Sequence, residues 1–468
     1  MLDNPSLNQS PIKVKRALIS VFDKTNVVEL AQALNSLRIE ILSTGGTSKT
    51  LRGANIPVID VSNYTKFPEI MNGRVKTINP LIGGGILGLR DQHSKDAEMH
   101  KIQWIDLVVC NLYPFSETIS REDCDLAMAL ENVDIGGPTM IRSAAKNVGW
   151  VCALINPEDY STISDELQSG EILFETRKKL SAKAFGHTAQ YDTIIHNYFK
   201  DEKQSDDLSI TFEKHSEMRY GENPHQLASS YKLPGNTEPN ILNATIHQGK
   251  QLSYNNIMDA DGALACVKEF DEPACVVVKH ANPCGVAAGD NLLDVYTRAF
   301  NADSLSAFGG IIAFNRTCTE DVAKAIGGVF VEIVLAPNFE PEALEIFKKK
   351  KNLRILSIGE FGKRSPKLEV RNVDGGLLVQ DTDTKILSKD DLTIVTKNQP
   401  SELDIETVLF TWKVLRHAKS NGILIAKDNT TVGLGAGQVS RVDAVHMALR
   451  KGGDSVRGGV LASDAFFP

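Results

Sequence analysis

No window of the chain approaches eighteen uninterrupted apolar residues, so no segment reads as a membrane-spanning helix. The opening MLDNPSLNQSPIKVKR has no apolar core, so no secretory signal is expected there. Cysteine is sparse, with seven residues, an odd number, and no CxxC pair. That usage argues against a disulfide framework and for reduced thiols in a cytoplasmic compartment. Basic residues are not in excess. The net charge of −8 speaks against a general nucleic-acid binder, while local basic sites can still hold anions. The one dense basic run, FKKKKNLR (Phe347 to Arg354), reads as a solvated helix end. Low-complexity tracts and internal repeats are absent too.

What remains is an ordinary globular composition over 468 residues, enough for two or three domains. The first part alternates strand and helix signals: ALISV, the helically spaced VVELAQALNSL, IEILS, IPVIDV, then IDLVVCNLYPF and VCALI. This order predicts a parallel, doubly wound sheet. A long helix is expected from about Glu175 to Phe199, followed by a polar linker over 201–211. The expected domains are therefore 1–200 and 212–468. The second carries apolar runs at ACVVV, GGIIAF, VEIVLAP and GGLLVQ, and a hairpin turning at Asp428-Asn429.

STGGT (Ser43 to Thr47) lies between a strand and a helix. It is either a plain capped turn or a phosphate site made of backbone N–H groups, hydroxyls and a helix N-terminus. SVFDKT (Ser20 to Thr25) ends the preceding strand. In a parallel sheet Lys24 and Thr25 could reach the same anion. GRVKT (Gly73 to Thr77) adds Arg74 and Lys76. DIGGPTMIRSAAKN (Asp134 to Asn147) opens a helix on which Arg142 and Lys146 share a face, as surface cations or as a cationic wall.

In the second part, VVVKHANPCG (Val276 to Gly285) delivers Lys279 and His280 to the end of an apolar strand, and Asn-Pro-Cys-Gly is expected to stop it. A solvated lysine and a satisfied histidine are one reading. The other is chemical: an imidazole takes the proton of an attacking amine while a lysine stabilises negative charge.

SVFDKT, STGGT, GRVKT, CNLYPF and DIGGPTMIRSAAKN, followed by MRYGENPHQ, KHANPCG, SAFGG, KSNGILIAK, GLGAGQVSR and SDAFFP, occur in the order of a known family. The chain resembles the bifunctional purine-biosynthesis family that joins 5-aminoimidazole-4-carboxamide ribonucleotide (AICAR) formyltransferase to inosine monophosphate (IMP) cyclohydrolase. The resemblance implies an α/β chain: a methylglyoxal-synthase-like parallel-sheet domain, then a cytidine-deaminase-like domain. It implies the last two steps of IMP formation, with 10-formyltetrahydrofolate as co-substrate. A formyl group passes to AICAR, and the formylated product (FAICAR) closes its ring with loss of water. It also implies a cytoplasmic homodimer.

For the first domain the resemblance makes Ser20, Lys24, Thr25, Gly45, Gly46, Thr47, Arg74, Thr77 and Asn111 nucleotide contacts, and Lys76, Tyr113, Asp134 and Lys146 catalytic. For the second it makes Lys279, His280 and Asn421 catalytic. Arg219, Tyr220, Phe308, Gly309, Glu332 and Arg441 would then bind the nucleotide, and Phe466 and Pro468 the folate. No zinc or other metal is expected, because Pro283-Cys284 lacks the second cysteine of a zinc deaminase and His215-Ser216-Glu217 stands alone.

Asn79 and Gly83 stand where the family pattern has histidines, and Phe22 where it commonly has serine. The family pattern also continues past AFFP, so the second domain is expected to be C-terminally incomplete. Two alternatives follow: a formyltransferase with a defective cyclohydrolase site, or a non-catalytic purine-nucleotide-binding remnant.

Overall fold

The computed structural model describes residues 7–200, 206–362 and 365–467. The chain forms two compact units, Met1–Thr211 and Phe212–Pro468. Of the expected linker, 201–205 lie outside the described residues. Among the described residues no helix is long and apolar enough to cross a membrane.

The first unit is built on five parallel strands: β1 (Arg16–Ser20), β2 (Glu40–Ser43), β3 (Ile59–Asp60), β4 (Leu107–Cys110) and β5 (Cys152–Leu154), in the order β3-β2-β1-β4-β5. The period-2 alternation of strand side chains splits the core between both faces. Ala17 and Ile19 pack with Leu30, Leu34 and Ile163, whereas Leu18 packs with Val108, Met140 and Ile141. IPVIDV does not form the expected long strand. Only Ile59–Asp60 pairs, and a short helix, Val61–Thr65, starts at once. The long helix runs Phe174–Phe199.

In the second unit, β8 (Thr245–Gln248), β9 (Ala274–Lys279), β10 (Asn282–Ala288), β11 (Ile311–Phe314), β12 (Ile333–Ala336), β13 (Arg354–Ser357), β16 (Ile423–Lys427), β17 (Thr430–Gly435) and β18 (Val460–Ser463) form a nine-stranded mixed sheet. Its order is β18-β16-β17-β10-β9-β11-β12-β13-β8. β11, β12 and β13 are parallel neighbours, and the remaining pairs are antiparallel. Two ribbons stand apart: β6 (Glu213–Met218) with β7 (Ala228–Lys232), and β14 (Leu368–Val373) with β15 (Gly376–Asp381). The β16–β17 hairpin turns at Asp428 and Asn429, both left-handed, as expected. Asn-Pro-Cys-Gly, by contrast, does not end the sheet. The chain turns on His280 and Ala281, and Asn282, Pro283 and Cys284 already belong to β10, with a register shift before Gly285.

Candidate active sites

In the first unit the C-terminal ends of β1, β2 and β4 converge beside two helix N-termini. Thr44 leads into the Gly45–Gly53 helix without capping it by its side chain, which leaves first-turn N–H groups available for a ligand. Gly45 has φ 47°, a conformation that favours glycine. A Cβ built there would lie 3.9 Å from the Lys76 ammonium, and one on Gly46 would lie 3.9 Å from that of Lys24. Two cations thus bracket one helix start. A small solvent-open cleft of about 80 Å³ lies beside it, lined by Thr44, Gly45, Asp60, Phe67, Glu69 and Lys76.

The hydroxyls here are partly engaged. Ser20 Oγ and Thr44 Oγ1 lie 3.1 Å apart, and Thr47 Oγ1 accepts from Val21 N and donates to Val21 O. Thr25 is held by Asp23, whose carboxylate accepts its hydroxyl at 2.7 Å and its amide at 2.9 Å. Asn111 fixes the same loop, accepting from Phe22 N and Asp23 N and donating to Asp23 O. Asp23 carried no signal in the sequence reading.

Asp134 lies just before the Gly136–Lys146 helix. Burial pushes its carboxyl up from the ordinary aspartate range, against the Gly137 amide at 2.8 Å, the Lys76 charge and the Tyr113 and Gly136 amides. Its own amide donates to Tyr191 Oη at 2.8 Å. Thr77 is buried beside Gly136, and Tyr113 packs edge-on against Phe22. Lys76, Thr77, Tyr113 and Asp134 therefore share one neighbourhood. Lys146 does not join it through the backbone. It ends the same helix, exposed, about 15 Å along the axis from Gly136. Arg74 is ion-paired with Glu131 at the surface. Asn79 caps the Pro80–Leu87 helix by accepting from Leu81 N at 2.9 Å, and the Cβ position of Gly83 faces open space.

In the second unit Lys279 ends β9 and His280 forms the exposed hairpin tip. Lys279 Nζ donates to Phe308 O at 2.7 Å. Gly309 has φ 69°, and a Cβ there would be 3.0 Å from that ammonium, so both backbone conformation and space call for glycine. Phe308, largely exposed, stacks on Phe330 with centroids 5.2 Å apart. Asn282 donates to His280 O at 2.9 Å and accepts from Lys419 N at 3.2 Å, which ties the hairpin to the 419–421 loop. In that loop Asn421 donates to Gln438 O at 2.9 Å, and its Oδ1 accepts from Arg441 at 2.8 Å. Arg441 also donates to Ser463 Oγ and pairs with Asp464, at the start of the Arg441–Gly452 helix. Burial raises the Asp464 carboxyl, but Ser420 and Arg441 outweigh it and hold the net position low.

Glu332 accepts from Asn256 at 2.8 Å and faces Arg354 at 3.4 Å. Arg219 stacks on Tyr220 at 4.9 Å, and two residues further on Glu222 O accepts from Asn255 of the Tyr254–Val267 helix. Phe466 is 85 % exposed near the chain end, and Pro468 lies outside the described residues. His215 and Cys284 belong to different sheets. The Cys284 thiol is pushed up to about 12, chiefly by burial.

A parallel-sheet unit with two lysines at a helix start, followed by a mixed-sheet unit with a Lys-His hairpin tip, defines a two-unit α/β class. The AICARFT/IMPCHase bienzyme family model matches residues 144–451, and the MGS-like domain model matches 26–139. The chain belongs to the AICARFT/IMPCHase bienzyme family. It is also similar to the solved structure titled "Crystal structure of ForH", at 34% identity over 39% of this chain and 96% of that chain, with a TM-score of 0.37.

Proposed function

We propose that the second unit transfers a formyl group from 10-formyltetrahydrofolate to AICAR, and that the first closes FAICAR to IMP. The observation that carries this reading is the linked group Lys279–His280–Asn282–Lys419–Asn421–Arg441, on the background of family membership.

The 5-amino nitrogen attacks the formyl carbon and its proton passes to His280. The tetrahedral centre then collapses by breaking the bond to N10 of tetrahydrofolate, which takes up a proton. Lys279 stabilises the developing oxyanion, Asn421 orients the carboxamide or formyl oxygen, and Phe466 begins the folate wall. Glu332, Arg219, Tyr220, Phe308, Gly309 and Arg441 shape the nucleotide pocket, with Arg441 acting through Asn421. In the first unit, the carboxamide nitrogen attacks the formyl carbon and a carbon–oxygen bond breaks to release water. Proximity supplies most of that acceleration. Lys76 and Tyr113 stabilise the oxyanion, while Asp134, kept more protonated by its burial, supplies a proton. Ser20, Lys24, Thr25, Gly45, Gly46 and Thr47 hold the phosphate end. The reading carries with it a cytoplasmic homodimer, in which a second copy covers exposed Leu305, Phe308 and Val439.

A second reading, formyl transfer without ring closure, is favoured by one observation: Asn79 is engaged as a helix cap and Gly83 offers no side chain. Incubating the chain with AICAR and 10-formyltetrahydrofolate and separating the nucleotides tests both. IMP is expected. Formylated intermediate alone selects the second reading, and no nucleotide product from folded protein overturns formyl transfer.

A further inference from the structure

We propose that Asp259 is a positioning residue for His280, a role that rests on the formyl-transfer reading above. His280 and Ala281 have φ of 51° and 55° and form the two-residue turn between paired Lys279 and Asn282. Such turns normally take Asn-Gly, because left-handed backbone is strained for residues with a Cβ. Here neither residue is glycine, and the strain falls on the candidate base itself.

The Asp259 carboxylate offsets it. One oxygen accepts from Ala281 N at 2.7 Å and the other from His280 N at 3.2 Å. Other ties of the hairpin, Asn282 to His280 O, Lys419 N to Asn282 and Lys279 to Phe308 O, hold its flanks but not these two amides. The Tyr254–Val267 helix that carries Asp259 runs beneath the turn. Asn256, one turn earlier, holds Glu332, and Gly262, one turn later, would place a Cβ 3.8 Å from Ala281 Cα. One helix face thus sets the direction of the imidazole and of the acidic pocket residue together. In Asp259→Asn, one of the two amides would face an NH₂ group instead of an acceptor.

The test uses the full chain with ring-labelled histidine, the His280 resonance being identified by its loss in His280→Gln. In D259N we expect that resonance to move and kcat for formyl transfer to fall by roughly 10–100-fold, with KM for AICAR changed by less than about threefold. Ala281→Gly added to D259N should return the resonance and recover kcat to within about threefold, because glycine takes the left-handed turn without an anchor. An unmoved His280 resonance in D259N overturns the proposal. So does a double variant that fails to recover while D259N only lowers the melting temperature. If the unmodified chain transfers no formyl group, the functional reading falls, and the resonance series alone decides the role of Asp259.

Discussion

At the level of single residues, the first unit concentrates its unusual electrostatics on Asp134. A carboxyl raised in the folded state binds its proton more tightly there than in the unfolded chain. It therefore costs stability at neutral pH, and the cost disappears as pH falls through the folded and then the unfolded value. Asp134→Asn should melt higher than the parent at pH 7 by roughly 2–4 °C, since asparagine keeps an acceptor for Gly137 N. The gap should narrow as pH approaches 4, and ring closure should be lost. Thermal melts across that range check it, and a variant that melts lower at pH 7 refutes the assigned direction. Lys76, Asp134, Lys279 and His280, the residues proposed to carry the chemistry, stand out in the sequence because charge and glycine cluster around them in short motifs. Asp23, Asp259 and Asp464 do not. Each acts on a loop or turn through a carboxylate, and Asp259 and Asp464 reach theirs only through the tertiary fold, which no spacing along the chain records.

At the level of elements, Gly433 and Gly435 of the GLGAGQ run serve close packing. A Cβ on Gly433 would lie 2.2 Å from Ala448 O, and one on Gly435 would lie 2.0 Å from Ala444 O, so the Arg441–Gly452 helix rests directly on β17. Gly285 plays the same part on β10, where the clash would be 1.9 Å from Ala299 O in the Leu292–Ala302 helix. These are backbone atoms in packed helices and cannot yield as a side-chain tip can. Gly435→Ala should cost about 2 kcal/mol or more, read as a lower urea midpoint. It should also displace Arg441 from Asn421 and reduce formyl transfer. Retention of both would show that the helix can slide. Strands such as β1, β2, β4, β5, β9, β11, β12 and β16 were legible from apolar runs, and the β16–β17 turn from Asp-Asn, whereas the polar β6, β7 and β8 were not. The IPVIDV segment was overread because its apolar side chains serve different purposes. Ile56 is buried in the core, Ile59 and Asp60 alone pair with β2, and Val61 already starts a helix.

At the scale of the whole molecule, the alternation of strand and helix announced the parallel first sheet. The mixed order of the second sheet depends on antiparallel insertions between distant segments, and β8 joining β13 had no local signal. Two chemistries in two units can be altered separately, and this bears on the two departures at 79 and 83. Asn79→His removes a helix cap worth about 1 kcal/mol. Gly83→His adds a side chain where nothing lies within 4 Å and replaces a weak helix former, which returns roughly 0.5 kcal/mol. The double variant should therefore fold. If the missing imidazoles limit ring closure, it should convert supplied FAICAR to IMP about a hundredfold faster or more, the lower end of what a positioned acid or base contributes. Formyl transfer to AICAR, whose proposed groups all lie in 212–468, should stay within about twofold in the same preparation, since neither substitution alters any of those groups. Chromatography of the two reactions reads both rates. A parent chain that already closes the ring as fast as N79H/G83H would remove the formyltransferase-only reading. Its catalysis would then rest on Lys76, Tyr113 and Asp134 without help from the Pro80–Leu87 helix.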